Sequence, residues 1–117
     1  MADNSPHIDE IQQSLLDNLS TTVLLLNSEL NIDYMNPAGE NLFHISSTRA
    51  IGAPLSKIMF VDSELMDHLN NAVSRQQPFV EHGVAITVNL DQKITVDYMV
   101  TPMQLTQDQP VLLLELK

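Results

Sequence analysis

Cysteine is absent from this sequence, which excludes disulfides, thiolate metal sites, a cysteine nucleophile and a cysteinyl-flavin adduct. Tryptophan is absent too, and three Phe and two Tyr are the only aromatics in 117 residues. The core must therefore be built from Leu, Ile, Val and Met, which gives little stacking surface for flat ligands or bases. Positive charge is scarce: five Lys and Arg stand against fifteen Asp and Glu, a formal charge of −10. That potential repels phosphate backbones and anionic headgroups, so neither nucleic acid nor a membrane surface is an expected partner. Glycine occurs only at positions 39, 52 and 83, too scattered for a phosphate-cradling loop. The longest apolar runs, such as Val23–Leu26 and Val111–Leu114, are too short to span a bilayer. The opening Met1-Ala2-Asp3-Asn4-Ser5-Pro6 has neither the basic nor the apolar region of a signal peptide. A cytoplasmic chain is expected.

What is present fits one globular domain: hydrophobic residues make up 44% of the chain, too many for a disordered tail. Residues 1–6 are expected to be a flexible N-terminus. Over 7–19, Ile8, Ile11, Leu15 and Leu19 recur on one helical stripe with Leu16 beside it. A helix packed on its own domain would show this stripe, but the spacing of three then four also resembles a short coiled-coil seam, which makes these five residues the candidate interface of a homodimer. Val23–Leu26 reads as a buried strand, Asn27-Ser28-Glu29 as a turn, and Asn31–Met35 as the hairpin partner. Asn36 and Pro37 then stop that strand and start a short helix through Phe43. Residues 45–61 read as irregular, with one helical turn near Leu55–Met59. Asp62-Ser63-Glu64 opens a clearer helix whose apolar face carries Leu65, Met66, Leu69, Ala72 and Val73.

The last third is strand. Val80, His82, Val84, Ile86 and Val88 alternate with polar or small residues, placing His82 on the apolar face. A turn is expected at 89–92, and a second alternating strand follows from Ile94 to Thr101. After another turn, Val111–Leu114 is apolar at consecutive positions and is expected to be covered on both faces. The order is helix, two strands, short helices, three strands. It predicts an α+β fold, a five-stranded antiparallel sheet with helices on one face and the Leu-rich first and last strands side by side at its centre.

Motifs that carry chemistry are lacking. No serine sits in a nucleophile elbow, and no two carboxylates stand in an acid/base setting. Among His7, His44, His68 and His82, only His68 has a helical partner four residues away, Glu64, and that pair reads as an ordinary exposed one. No catalytic residue, metal ligand or cofactor is expected, and the chain is not expected to be an enzyme by itself. Met66, His82 and Tyr98 are candidate lining residues of a pocket between sheet and helices.

The segment from Val23-Leu24-Leu25-Leu26-Asn27 through Ile32-Asp33-Tyr34-Met35-Asn36-Pro37-Ala38-Gly39-Glu40-Asn41-Leu42-Phe43 resembles the first half of a PAS domain. Ile51-Gly52-Ala53-Pro54-Leu55 and the three closing strands resemble the remainder. With the N-terminal helix and the run Leu15–Leu25, nearly the whole chain is similar to the sensor domains of nitrogen-regulation histidine kinases. The resemblance implies a single PAS domain over 7–117, its core at 22–117, acting in two-component signal transduction. It implies a dimeric regulatory module that biases the kinase or phosphatase action of downstream kinase domains in the same parent chain toward a response regulator. The alternative it leaves is a small-molecule receptor domain of another signalling protein. The phospho-acceptor and nucleotide-binding motifs of the kinase are not in this sequence, and its end just after a strand leads us to expect a parent that continues into a helical linker. Leu30 and His44 stand where many family members carry glycine, so those two turns are expected to be built differently.

Overall fold

The computed structural model describes residues 21–88, 92–106 and 109–117. The helix expected at 7–19, with Ile8, Ile11, Leu15, Leu16 and Leu19, lies outside the described residues, as do residues 1–6 and most of the turn at 89–92. Strand β1 (Thr22–Asn27) turns back into β2 (Ile32–Met35). The Asn27 side chain builds that turn, its Oδ1 accepting from the Glu29 and Asn31 N–H groups at 2.9 and 3.0 Å. Helix α1 (Pro37–Phe43) follows, then the one-turn α2 (Ser47–Ala50) and a 3₁₀ turn at Leu55–Lys57. Helix α3 (Ser63–Arg75) starts at Asp62, whose Oδ1 caps the Leu65 N–H at 2.8 Å. Strands β3 (Phe79–Val88), β4 (Gln92–Thr106) and β5 (Gln109–Leu116) complete the chain. The segment expected to be irregular thus holds one short helix besides the turn at Leu55. Among the described residues no helix is long and apolar enough to cross a membrane.

All neighbouring strands are antiparallel, in the order β2-β1-β5-β4-β3. The Leu-rich first and last strands do lie side by side, paired from Thr22 with Leu116 to Asn27 with Val111. Pleating sends alternate residues to opposite faces. Leu24, Leu26, Leu112, Leu114, Leu116, Val96, Tyr98 and Val100 face the helices and join Phe43, Leu55, Leu65, Leu69 and Ala72 in one core.

Asn36 joins the sheet to the helical layer. Fully buried, it accepts from the Val23 and Gly39 N–H groups through Oδ1 (3.0 and 3.1 Å), and its Nδ2 donates to the Thr21 carbonyl at 2.8 Å. Oδ1 thereby caps α1 and satisfies a strand N–H with one atom. Gly39 must be small here, because a Cβ would sit 2.6 Å from Met35 Cγ.

Two expectations need correction. The turns at Leu30 and His44 are not built differently from a glycine turn: both residues take the left-handed backbone that glycine favours, at φ 66° and 55°. Leu30 is held there by the Asn27 turn and packs its side chain against the core, whereas exposed His44 caps α1 through its N–H on the Glu40 carbonyl. His82 is not on the apolar face either, since its side chain is 78% exposed. Between Glu81 and Val84 the β3–β4 register shifts: Glu81 pairs with Tyr98 and Val84 with Val96, leaving His82 and Gly83 together opposite Asp97. This is a β-bulge with Gly83 at φ 65°. It reverses the alternation, turning Phe79 and Glu81 toward the helices and leaving Val80 46% exposed.

Candidate functional site

The bulge shapes a groove between β3 and the start of α3. Asp97 pins it, accepting from the Gly83 N–H at 2.8 Å and lying 3.5 Å from His82 Nδ1. The Gly83 hydrogen bond leads in holding the Asp97 carboxyl below its ordinary value, and His82 adds to it. The groove encloses about 360 Å³ and is lined by Phe60, Glu64, Leu65, Glu81, His82 and Tyr98 among others. His82 and Tyr98, both expected pocket residues, therefore meet in one groove. Met66 does not reach it. One residue along α3 from Leu65, and so rotated by about 100°, it lines a separate hollow with Leu30, Val61 and Leu69.

At the base of the groove Tyr98 is 4% exposed. Its hydroxyl lies 3.0 Å from His68 Nδ1, and the His68 ring stacks on Phe79 with centroids 3.7 Å apart. Burial, reinforced by the charges of Glu81, Glu64 and Asp62, pushes the Tyr98 hydroxyl up to about 12. The sequence reading missed Phe60, which is 67% exposed at the rim, and Glu81, which simple alternation had put on the far face. A glycine inside a strand was the available signal for the bulge that brings Glu81 here.

The other face of the sheet is also apolar. Leu25 pairs with Tyr34 on one side and Leu113 on the other, Val111 pairs with Met103, and Val80 with Met99. Val23 and Val111 are buried on this face although they stand apart from the core cluster, while Met99, Met103 and Val80 are each more than a third exposed. An antiparallel sheet with one wet face normally alternates apolar with polar residues, and its central strands here do not.

The family model of the PAS fold matches residues 10–115. The chain belongs to the PAS family. The PAS domain of nitrogen regulation protein NR(II) from Vibrio parahaemolyticus superposes with a TM-score of 0.78 at 27% identity, covering 92% of this chain and 96% of that one. The sensory histidine kinase/phosphatase NtrB of Salmonella typhimurium is 28% identical over 75 residues, which is 64% of this chain and 22% of the kinase. A PAS domain from a two-component sensor histidine kinase shares the fold at TM-score 0.78 and 13% identity over 97% of both chains. The chain is thus a PAS sensor domain related to NtrB, and it spans about a fifth of the length of the curated relatives it matches.

Proposed function

We propose that this PAS domain is a cytoplasmic regulatory and dimerisation module of a nitrogen-regulation histidine kinase. It sets the balance of kinase and phosphatase action toward a response regulator by fixing how two copies of the parent chain pair. The observation that carries the reading is the second apolar face of the sheet, centred on Leu25 and Leu113 and flanked by Met99 and Met103. Apolar area of this kind, left wet, marks an interaction surface. The likeness to the NR(II) and NtrB proteins supplies the kinase context. Ile8, Ile11, Leu15, Leu16 and Leu19 are the N-terminal residues assigned to the same interface, as a helix whose stripe seals the pair. The parent's own kinase domains are the downstream partner.

Sedimentation equilibrium of the chain tests the pairing. A dimer is expected for the wild type, and monomers for Ile11→Glu/Leu15→Glu and for Leu25→Glu/Leu113→Glu. A monomeric wild type, or a dimer that survives both double substitutions, refutes it. Substituting this domain for the corresponding one in the Salmonella kinase tests the regulatory step. The chimaera should keep its ratio of phosphorylation to dephosphorylation, and the same chimaera with Ile11→Glu/Leu15→Glu should lose it.

The groove favours a second role. Its volume of about 360 Å³ falls within the range of small-molecule sites, and His82 and Tyr98 would line the receptor pocket, with Met66 in the neighbouring hollow. Native mass spectrometry of the purified chain checks this, since a receptor carries a stoichiometric adduct.

A further inference from the structure

Glu64 and half-buried His68 are one turn apart on α3, and by themselves they make an ordinary helix pair. The bulge in β3 changes their setting, because it turns Glu81 inward toward them. One donor atom from each of Glu64, His68 and Glu81 lies within 4.8 Å of the other two, the one such convergence of three ligand-type residues among the described residues. We propose that Glu64, His68 and Glu81 bind a divalent metal ion of the zinc type, bridging helix α3 to the edge strand β3.

The donor set decides the class of ion. One imidazole nitrogen and two carboxylates suit zinc and its borderline neighbours better than calcium or magnesium, which prefer oxygen throughout. The spacing is close to what is needed. Two donors each about 2.0–2.2 Å from a tetrahedral ion stand about 3.3–3.6 Å apart, and donors already within 4.8 Å of one another reach that spacing when the exposed Glu64 side chain closes in.

His68 is already oriented. Its ring is clamped against Phe79, and Tyr98, buried beneath it, holds Nδ1 at 3.0 Å. Metal-ligating histidines are characteristically fixed in this way by a hydrogen bond on the ring that sets tautomer and direction. The charge of the lining agrees: Asp62, Glu64 and Glu81 all face the groove, and Lys93 is the single Lys or Arg there. Three protein ligands leave a coordination position for an exogenous oxygen or anion, and Glu64 and Glu81 themselves line the groove from which it would come. An ion held by both elements would also tie α3 to an edge strand.

Isothermal titration of the chain with zinc chloride tests the site. One zinc per chain is expected. Glu81→Gln, Glu64→Gln and His68→Gln should each weaken binding more than about a hundredfold, and Tyr98→Phe, which removes only the orienting hydroxyl, about tenfold. Affinity should be unchanged in His7→Gln and His44→Gln. Metal-free circular dichroism melts establish that the Glu64→Gln and Glu81→Gln variants are folded. No saturable binding by the wild type at millimolar zinc overturns the proposal. So does undiminished affinity in folded Glu81→Gln, or a loss that follows His7 or His44 instead.

Discussion

Asn36 is the residue on which the junction of sheet and helices most depends, and its replacement gives a sharp test. In Asn36→Ala the cap of α1 is lost, a cost of about 1 kcal/mol. The Val23 N–H, bonded to Asn36 Oδ1 at 3.0 Å in a buried setting, is left without that acceptor, a further cost of about 1–3 kcal/mol. The two losses share one oxygen, so we expect about 2–4 kcal/mol in total, a large part of the roughly 5–15 kcal/mol typical of a domain. Urea unfolding should show a lower midpoint with an unchanged slope. Asn36→Asp separates the two ends of the side chain. It keeps the acceptor for Val23 and Gly39 but replaces the Nδ2 donor that lies 2.8 Å from the Thr21 carbonyl. A carboxylate oxygen facing that carbonyl disfavours the charged form, whereas the protonated acid can donate to it. The folded pKa of the new carboxyl is therefore raised above its unfolded value of about 3.9. Its stabilisation is present below that value and is lost as pH rises through the folded one, so the deficit against wild type should be smaller near pH 4 than near pH 7. An Ala variant within about 0.5 kcal/mol of wild type, in the range of an ordinary surface change, would refute this account of the junction. A deficit in the Asp variant that does not change with pH would refute the part played by Thr21.

Four other outcomes follow from the same structure. Gly39→Ala should destabilise by about 1–3 kcal/mol, measured by urea unfolding, because its Cβ would meet Met35 Cγ at 2.6 Å inside the core. His44→Gly should stabilise by about 0.5–1 kcal/mol, since glycine relieves a left-handed backbone at an exposed site. Leu30→Gly should not, because the same relief is offset by loss of a side chain packed on the core, and a thermal melt of both variants checks the opposite signs. In chelator-treated protein, the phenolate absorbance of Tyr98 should rise near pH 12 rather than at the ordinary 10.0. The folded chain holds that proton more tightly, so its contribution to stability is complete below pH 10.0 and falls as pH rises toward about 12, and Tyr98→Phe should remove this slope. Leu112→Ala should cost about 2–5 kcal/mol of unfolding free energy, whereas Leu113→Ala should cost far less and instead weaken self-association in sedimentation.

The fold was legible in the sequence because its strongest signals are local. Asn36-Pro37 marks a helix start by what each residue does with a backbone N–H, and the structure uses both in that way. The uninterrupted Val23–Leu26 and Val111–Leu114 runs pointed to central strands, and β1 and β5 pair there. The groove was less legible because it depends on one inserted residue. Strict alternation from Val80 to Val88 assigned His82 inward and Glu81 outward, and the bulge at His82-Gly83 exchanges them. Asp97, opposite that bulge, holds it from a strand fourteen residues away in sequence, a pairing that periodicity does not encode. The turns at Leu30 and His44 failed for another reason. Residue preference argues against a left-handed leucine or histidine, but Asn27 and the end of α1 impose that backbone from outside.

The placement of apolar residues on the far face bears on how that face is used. If it were an evenly greasy sheet, edge strand β2 would share in it, yet Asp33 is exposed there and only Tyr34 joins the patch. The apolar residues gather instead on β1, β5 and β4, with Val23 and Val111 buried to 1% and 6% exposure and Met99 and Met103 still at 37% and 38%. Buried valines beside half-buried Leu25 and Leu113 and a partly open flank of flexible methionines fit the pairing surface proposed above. The core on the helix side needs no such pairing: among the described residues no buried side-chain nitrogen or oxygen lacks a partner, and its central leucines are fully enclosed. The two faces of one sheet therefore answer to different demands. Changes at Leu24 or Leu112 are expected to act on folding, and, on the proposed pairing, changes at Leu25 or Leu113 on self-association.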